Sequence, residues 1–252
     1  VNVKVVLSDM QIPDHDVRAV AVVQQFAADV ADELWCVGDE ADSPEVSKWN
    51  KASAGEYVGT LQKGLDTTHR VLKGFRDAIG PDKLFRIQRS NHTDRIRTYT
   101  NRYAPALASL RDLRYEKLIR LEELGIEFDD QPADIAPGWV IAHGDEGSLI
   151  RTAGGTAMNL ARRFGKSVVC GHTHKLGLQH DHDSVNGRIV RQLFGFEVGH
   201  LMNLKRAHYL RAGSANWQQG IGVLVQDGRD VHPVAIPIVN GRIHFDGRIY
   251  RG

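Results

Sequence analysis

Five times before residue 175 the chain runs through a short apolar stretch and stops on polar side chains able to hold a metal or a phosphate. Residues 3–7 lead to Ser8-Asp9-Met10-Gln11, 34–37 to Gly38-Asp39-Glu40, and 83–88 to Ser90-Asn91-His92. Residues 139–142 lead to His143-Gly144-Asp145, and 168–170 to Gly171-His172-Thr173-His174. Apolar runs of this length between turn residues read as buried strands. Helical periodicity fills the gaps between several of them, which points to an α/β fold with parallel strands. In an open α/β sheet the ligand crevice lies outside the carboxyl ends of the strands, so the five clusters should converge there.

The intervening pattern is specific enough to place helices. Residues 17–30 carry apolar side chains at helical spacing. Tyr57, Leu61, Leu65, Thr68, Leu72, Phe75 and Ile79 recur every three or four residues, and Gly80-Pro81 ends that run. Leu107, Leu110, Leu113, Leu121 and Leu124 predict another helix, entered near Pro105 and closed by Gly125. A further helix is expected around 156–164. Beyond residue 174 the pattern changes to strands at 188–194, 222–225, 231–239 and 242–250, joined by turns such as Asp227-Gly228 and Asn240-Gly241. Gly213-Ser214, after residues 209–211, reads as a structural tight turn. With no repeat or linker in 252 residues, one domain spanning 1–252 is the expectation.

Charge balance excludes little, since 32 Lys and Arg meet 31 Asp and Glu. Its distribution says more: between residues 86 and 120 lie nine basic residues against Asp94, Asp112 and Glu116. That cluster is either a solvated helix face or a positive rim that draws in phosphate-bearing substrates. Cys36 and Cys170 each sit in an apolar run and read as buried thiols, not a disulfide. No stretch has the apolar length of a membrane span, and residues 3–7 run straight into Asp9 without the form of a leader. A cytoplasmic protein is the expectation.

Taken in order, Asp9-Met10-Gln11, Gly38-Asp39, Asn91-His92, His143 and Gly171-His172-Thr173-His174 resemble the five-part signature of the calcineurin-like metallophosphoesterases, D-x-H, G-D, N-H-[DE], H and G-H-x-H. Asp9 to Pro13 with His15-Asp16 looks in particular like phage-encoded members. The resemblance implies a four-layer αββα sandwich of two mixed β-sheets flanked by helices. It also implies two divalent cations, Mn2+ above Fe, Zn, Ni or Mg. Asp39 would bridge both; Asp9 and His174 would bind the first, and Asn91, His143 and His172 the second. His92 would face the substrate phosphate and protonate the leaving oxygen, while a metal-bridging hydroxide attacks phosphorus in line.

Two departures from the signature stand out. Gln11 replaces the first-motif His, either as a weaker ligand or as a hydrogen-bond partner of metal-bound water. Thr93 displaces the acid that usually follows His92, so that Asp94 becomes the candidate to orient it or to touch substrate. His15 is either a loop histidine or a phosphate contact. His180 and His182, interleaved with Asp181 and Asp183, read as a solvated loop sooner than a second metal cluster. Singly, any of the signature histidines would read as structural, and Asp39 as a helix N-cap; together they read as a ligand set. The function expected is hydrolysis of nucleotide-type phosphodiesters, cyclic nucleotides or nucleic-acid ends. A phosphomonoesterase or protein Ser/Thr phosphatase, a degenerate binding scaffold and a nucleic-acid-binding module are the alternatives.

Overall fold

Period-two alternation in the strands sorts the apolar side chains into three cores, and the cores define the layers. The computed structural model describes residues 1–48, 59–207 and 215–252, so Tyr57 and the turn at Gly213-Ser214, with 209–211 before it, lie outside the described residues. The first sheet is ordered β11-β10-β1-β2-β3-β4. Its strands β1 (Asn2–Leu7), β2 (Glu33–Cys36), β3 (Leu84–Gln88) and β4 (Glu127–Asp129) run parallel. On the other side of β1, β10 (Gly220–Asp227) and β11 (Asp230–Pro237) pair antiparallel. The second sheet is ordered β5-β6-β7-β9-β8, from β5 (Ala133–Ala136), β6 (Trp139–Ile141), β7 (Ser167–Cys170), β8 (Leu176–Val185) and β9 (Arg188–Val198).

Val5 and Leu7, Leu34 and Cys36, and Phe85 and Ile87 pack under α1 (Val17–Val30) and α2 (Leu61–Ile79). The residues between them, Val6, Trp35 and Val37, face Ile141, Val169, Phe196 and Val198 of the second sheet. On that sheet's far side Val140, Val168, Cys170 and Leu193 meet Ala157, Leu160 and Ala161 of α5 (Gly155–Phe164). The result is the four-layer αββα sandwich that the resemblance implies. Caps fix where the helices begin. Asp16 accepts hydrogen bonds from the Arg18 and Ala19 amides at the start of α1, a cap worth about 1 kcal/mol. At α5 a fully buried Glu197 on β9 takes the amides of Gly154 and Thr156, locking the helix to its sheet.

Several expected elements turn out differently. The leucines from 107 to 124 do not share one helix. They fall on the 3₁₀ turns Pro105–Leu107, Arg111–Leu113 and Leu121–Leu124, with a short helix α4 (Tyr115–Leu118) between. Leu107 and Leu110 are exposed, Leu121 and Leu124 are buried, and Arg120 at φ 56° breaks the run. A helix the pattern missed, α3 (Arg95–Tyr103), buries Ile96 alone and so shows no apolar period. Residues 242–250 are not one strand but the hairpin β12 (Arg242–Phe245) and β13 (Arg248–Arg251). Phe245 and Tyr250 pack edge-on against Phe26 of α1 at 5.3 and 5.2 Å. His180 and His182 lie on β8, a strand rather than a loop, and their side chains are exposed. Cys36 and Cys170 are buried free thiols, and burial pushes both well above the usual thiol pKa. No described helix is long and apolar enough to cross a membrane.

Candidate metal centre

The loops that leave β1 and β2 run side by side. Asp9 N donates to Gly38 O (3.2 Å), Gln11 N to Asp39 O (2.9 Å) and Ile12 N to Glu40 O (2.8 Å). Gly38, at φ +91°, lets the turn after β3 close on them, because a Cβ there would stand 2.5 Å from Ser90 Cβ. From the other sheet Gly171 brings the loop after β7 against Ser8 and Asp9; a Cβ on it would fall 1.8 Å from Ser8 Oγ. Five side chains aimed into the resulting crevice sit on left-handed backbone: Asp9 (φ 51°), Gln11 (53°), Asp39 (53°), His172 (64°) and His174 (58°). Non-glycine residues hold that conformation at a cost of about 1 kcal/mol each, a pattern that collects at functional sites.

Asp39 is the hub. Its Oδ1 lies 3.4 Å from His143 Nε2 and accepts the His92 amide at 3.3 Å. Its Oδ2 accepts Gln11 Nε2 at 3.1 Å and lies 3.6 Å from His92 Nε2. One ligand atom each from Asp39, His143 and His172 falls within 4.8 Å of the others. Asn91 Oδ1 is 2.9 Å from His143 Nε2. Asp9 is pinned through Oδ2, which accepts Ser8 Oγ at 2.5 Å and the His172 amide at 2.8 Å. Its Oδ1 stands 3.0 Å from His174 Nε2. All six signature ligands and His92 therefore meet in one crevice, with Gln11 beside them.

Electrostatics follow from packing two buried carboxylates among imidazoles. Burial alone would raise Asp39, but His92 and His143 outweigh it and hold its carboxyl well below the usual range. Burial likewise opposes Asp9, and His174 overcomes it, leaving Asp9 below its ordinary value. His143 answers in the opposite sense. Burial disfavours its charge, yet Asp39 and Asp9 push it up to about 10. Its ring bonds agree, because Nδ1 faces Val37 O at 2.7 Å and Nε2 faces Asn91 Oδ1, two acceptors that call for two N–H groups. His172, buried beside that imidazolium, is lowered instead. Without a cation, His143 therefore favours its protonated form beside the carboxylates.

His92 differs from expectation in its partners. Asp94 does not orient it; that carboxylate is held by Arg89 and by Arg97. The carboxylate beside His92 belongs to Asp42, with Oδ1 3.2 Å from Nδ1. Arg95 Nη1 bonds the same Asp42 oxygen at 2.7 Å, while its Nη2 stands 2.7 Å from His92 Nε2. A guanidinium can only donate, so Nε2 is the acceptor in that contact, and Nδ1 stands beside Asp42 without a hydrogen bond among the described residues. Asp42 and Arg95 carry no motif that would have flagged them. His15 is half-buried and bridges by its backbone to Met202, on the segment that lies along Asp9 through the bond from Leu201 N to Asp9 O (3.1 Å). That segment also holds the buried His200, whose ring lies 5.4 Å from His174, with Trp217 4.2 Å from His174 on another side.

The donor set fits divalent cations. Two carboxylates, an amide oxygen and three imidazoles suit borderline-hard metals. Asp9 Oδ1 is also buried without a hydrogen bond among the described residues, the condition a bound cation relieves.

No protein-family model matches the chain. Over 251 residues it is 36% identical to the Gene 54 protein of Mycobacterium phage D29 and 35% identical to that of Mycobacterium phage L5. Each alignment covers 98% of this chain and 97% of the relative. Among solved structures it is similar to Vacuolar Protein Sorting 29 from Cryptosporidium parvum, with TM-score 0.46 and 15% identity over 100% of this chain and 95% of that one. It is also similar to Vps29 complexed with zinc from Entamoeba histolytica, with TM-score 0.47 and 11% identity over 99% of this chain and 98% of that one.

Proposed function

This chain belongs to the family of the Gene 54 proteins of mycobacteriophages D29 and L5, and from that premise we propose that it is a metal-dependent phosphoesterase acting on nucleotide-type phosphodiesters. The observation that supports this most is the meeting of Asp9, Asn91, His143, His172 and His174 around Asp39, with His92 at its edge. Asp9, Asp39 and His174 would hold a first cation, with Gln11 or water completing its shell, and Asp39, Asn91, His143 and His172 would hold a second. Such a pair, Mn2+ before Fe, Zn, Ni or Mg, supplies Lewis-acid charge for the phosphoryl oxygens and lowers the pKa of bound water.

The protein's own groups do the rest. Asp42 fixes the His92 ring, and Arg95 leaves Nε2 for the oxygens of an incoming phosphate, where its planar fork finds a better acceptor. Nε2, unprotonated while it accepts from Arg95, then takes up a proton from solvent and delivers it to the departing alkoxide, with Asp42 beside the ring to stabilise the imidazolium, a role worth about 10²–10⁴-fold in rate. The diester preference is supported by Arg95, the first residue of the arginine-bearing α3, standing 2.7 Å from His92 Nε2.

Chelator-stripped protein assayed with Mn2+, Mg2+, Zn2+ and Ni2+ tests the reading. Bis(p-nitrophenyl) phosphate and a cyclic nucleotide should be hydrolysed only with added metal, and faster than p-nitrophenyl phosphate. Faster monoester turnover would make it a phosphomonoesterase. Metals that raise Tm without supporting any turnover would overturn the enzymatic reading in favour of a binding scaffold.

A further inference from the structure

The arginine cluster noted in the sequence separates in space into two kinds. Arg86 and Arg89 are tied to Glu127 and Asp94. Arg102, Arg111 and Arg114 are exposed, and none has a carboxylate partner among the described residues. They lie on and just after α3, whose residues Arg95, Tyr99, Arg102 and Tyr103 recur at i, i+4, i+7 and i+8 and so form one stripe, with the buried Ile96 along its tyrosine edge, three and seven residues before Tyr99 and Tyr103. The stripe starts at the guanidinium 2.7 Å from His92 Nε2 and runs outward for about 12 Å at 1.5 Å per residue.

A merely solvated helix face would carry charge alone. This one also exposes aromatic and aliphatic surface, with Tyr99 at 36% and Tyr103 at 42%. The two rings lie 4.8 Å apart, and the Arg102 guanidinium lies 5.4 Å over the Tyr103 ring. Leu107 and Leu110 extend the same exposed surface past the helix end. Beside it a groove of about 440 Å³ includes Arg97, Leu113, Arg114 and Phe128, with Glu116 and Asp130 the carboxylates there not already held by arginine. Flat rings interleaved with guanidinium groups that no carboxylate holds match a strand of unstacked bases on a phosphate backbone. A duplex hides its base faces and leaves the rings without partners.

We propose that the α3 stripe and the 105–114 segment form a track for single-stranded nucleic acid that leads to His92. It rests on the phosphoesterase reading only in assigning the strand as substrate; binding itself does not require catalysis. Bases stack on Tyr99 and Tyr103, and Arg102, Arg111 and Arg114 follow the phosphates.

Fluorescence anisotropy of a labelled oligothymidylate with the full chain in EDTA tests it, because nothing is cleaved there. The parent should bind the strand more tightly than a duplex of equal length, and Tyr103→Ala or Tyr99→Ala should each weaken binding about tenfold. Tyr103→Phe should restore it. Each of Arg102→Gln and Arg111→Gln should lower the slope of log K against log salt by about 0.7. With metal restored, both Tyr→Ala variants should lose more kcat/KM on the oligonucleotide than on a nitrophenyl diester. Tyr variants that bind like the parent, equal displacement by polyglutamate, or self-association through this face would each overturn the track. Strand binding without turnover of any ester would sink the catalytic reading and leave the track standing. Diester turnover without strand binding would do the reverse.

Discussion

The two sheets bring different elements of the periodic table to the crevice. Asp9, Gln11, Asp39 and Asn91 come from turns after the parallel strands β1, β2 and β3, and the groups they offer a cation are oxygens. His143, His172 and His174 come from turns after β6 and β7 of the other sheet, and they offer nitrogens. Alone, the first sheet would gather two like-charged carboxylates in a buried place, and the second a set of imidazoles with no counter-charge. Only the inter-sheet core around Trp35, Phe196 and Val198 brings the two within bonding distance. A cation bound across that seam binds the folded state alone, so metal affinity and sheet packing are linked.

The hardest test of this division removes the oxygen-side hub. Asp39→Ala should cut metal-dependent diester turnover by more than about 10³-fold, beyond the 10²–10³ usual for losing one electrostatic donor. It should also erase the rise in Tm on adding Mn2+. Turnover within about tenfold of the parent would show that the imidazole sheet holds the metals unaided.

A substitution that sharpens the contrast puts nitrogen on the oxygen side. Gln11 gives its amide to Asp39 at 3.1 Å, and a carboxamide oxygen is a weaker donor than imidazole. Gln11→His should tighten the weaker of two calorimetrically resolved sites by about tenfold or more. Two equally tight sites in the parent, or no change in the variant, would remove Gln11 from the argument.

The smallest effect is on stability against pH. His143 sits at about 10 in the folded, metal-free protein against an ordinary 6.5, so its contribution is full below about 6.5 and fades as pH climbs toward 10. Asp39 is depressed, so its contribution is present above 3.8 and is lost as pH falls below that value. Between pH 7 and 9 the Tm of chelator-treated protein should therefore drop by a few degrees per unit, from a term of about 1 kcal/mol per unit. His143→Gln should flatten that slope. An unchanged slope would mean the proton resides elsewhere.

What the sequence made legible was whatever burial writes as a pattern. The strands at β1, β2, β3, β6 and β7 are apolar because they are buried between layers, and the helix at 17–30 matches its predicted bounds. The ligand clusters follow those strands and were readable for that reason. Surface elements left no such mark. α3 buries one side chain, β8 reads as alternating His and Asp exposed to water, and the leucines of 107–124 keep their spacing while serving separate turns. Asp42 and Arg95 escaped notice because their importance lies in facing one ring from a loop and from a helix start, which no spacing along the chain encodes.

The left-handed backbone under Asp9, Gln11, Asp39, His172 and His174 has a consequence for how such a protein ages. Glycine is at ease in that conformation, and none of these five residues is. Replacing any of them by glycine relieves local strain while removing a polar side chain from the crevice, so some of these variants should melt no lower than the parent when no metal is added. Loss of the donor groups from the crevice would then meet no thermodynamic obstacle. Only continued selection for chemistry would keep these side chains in place.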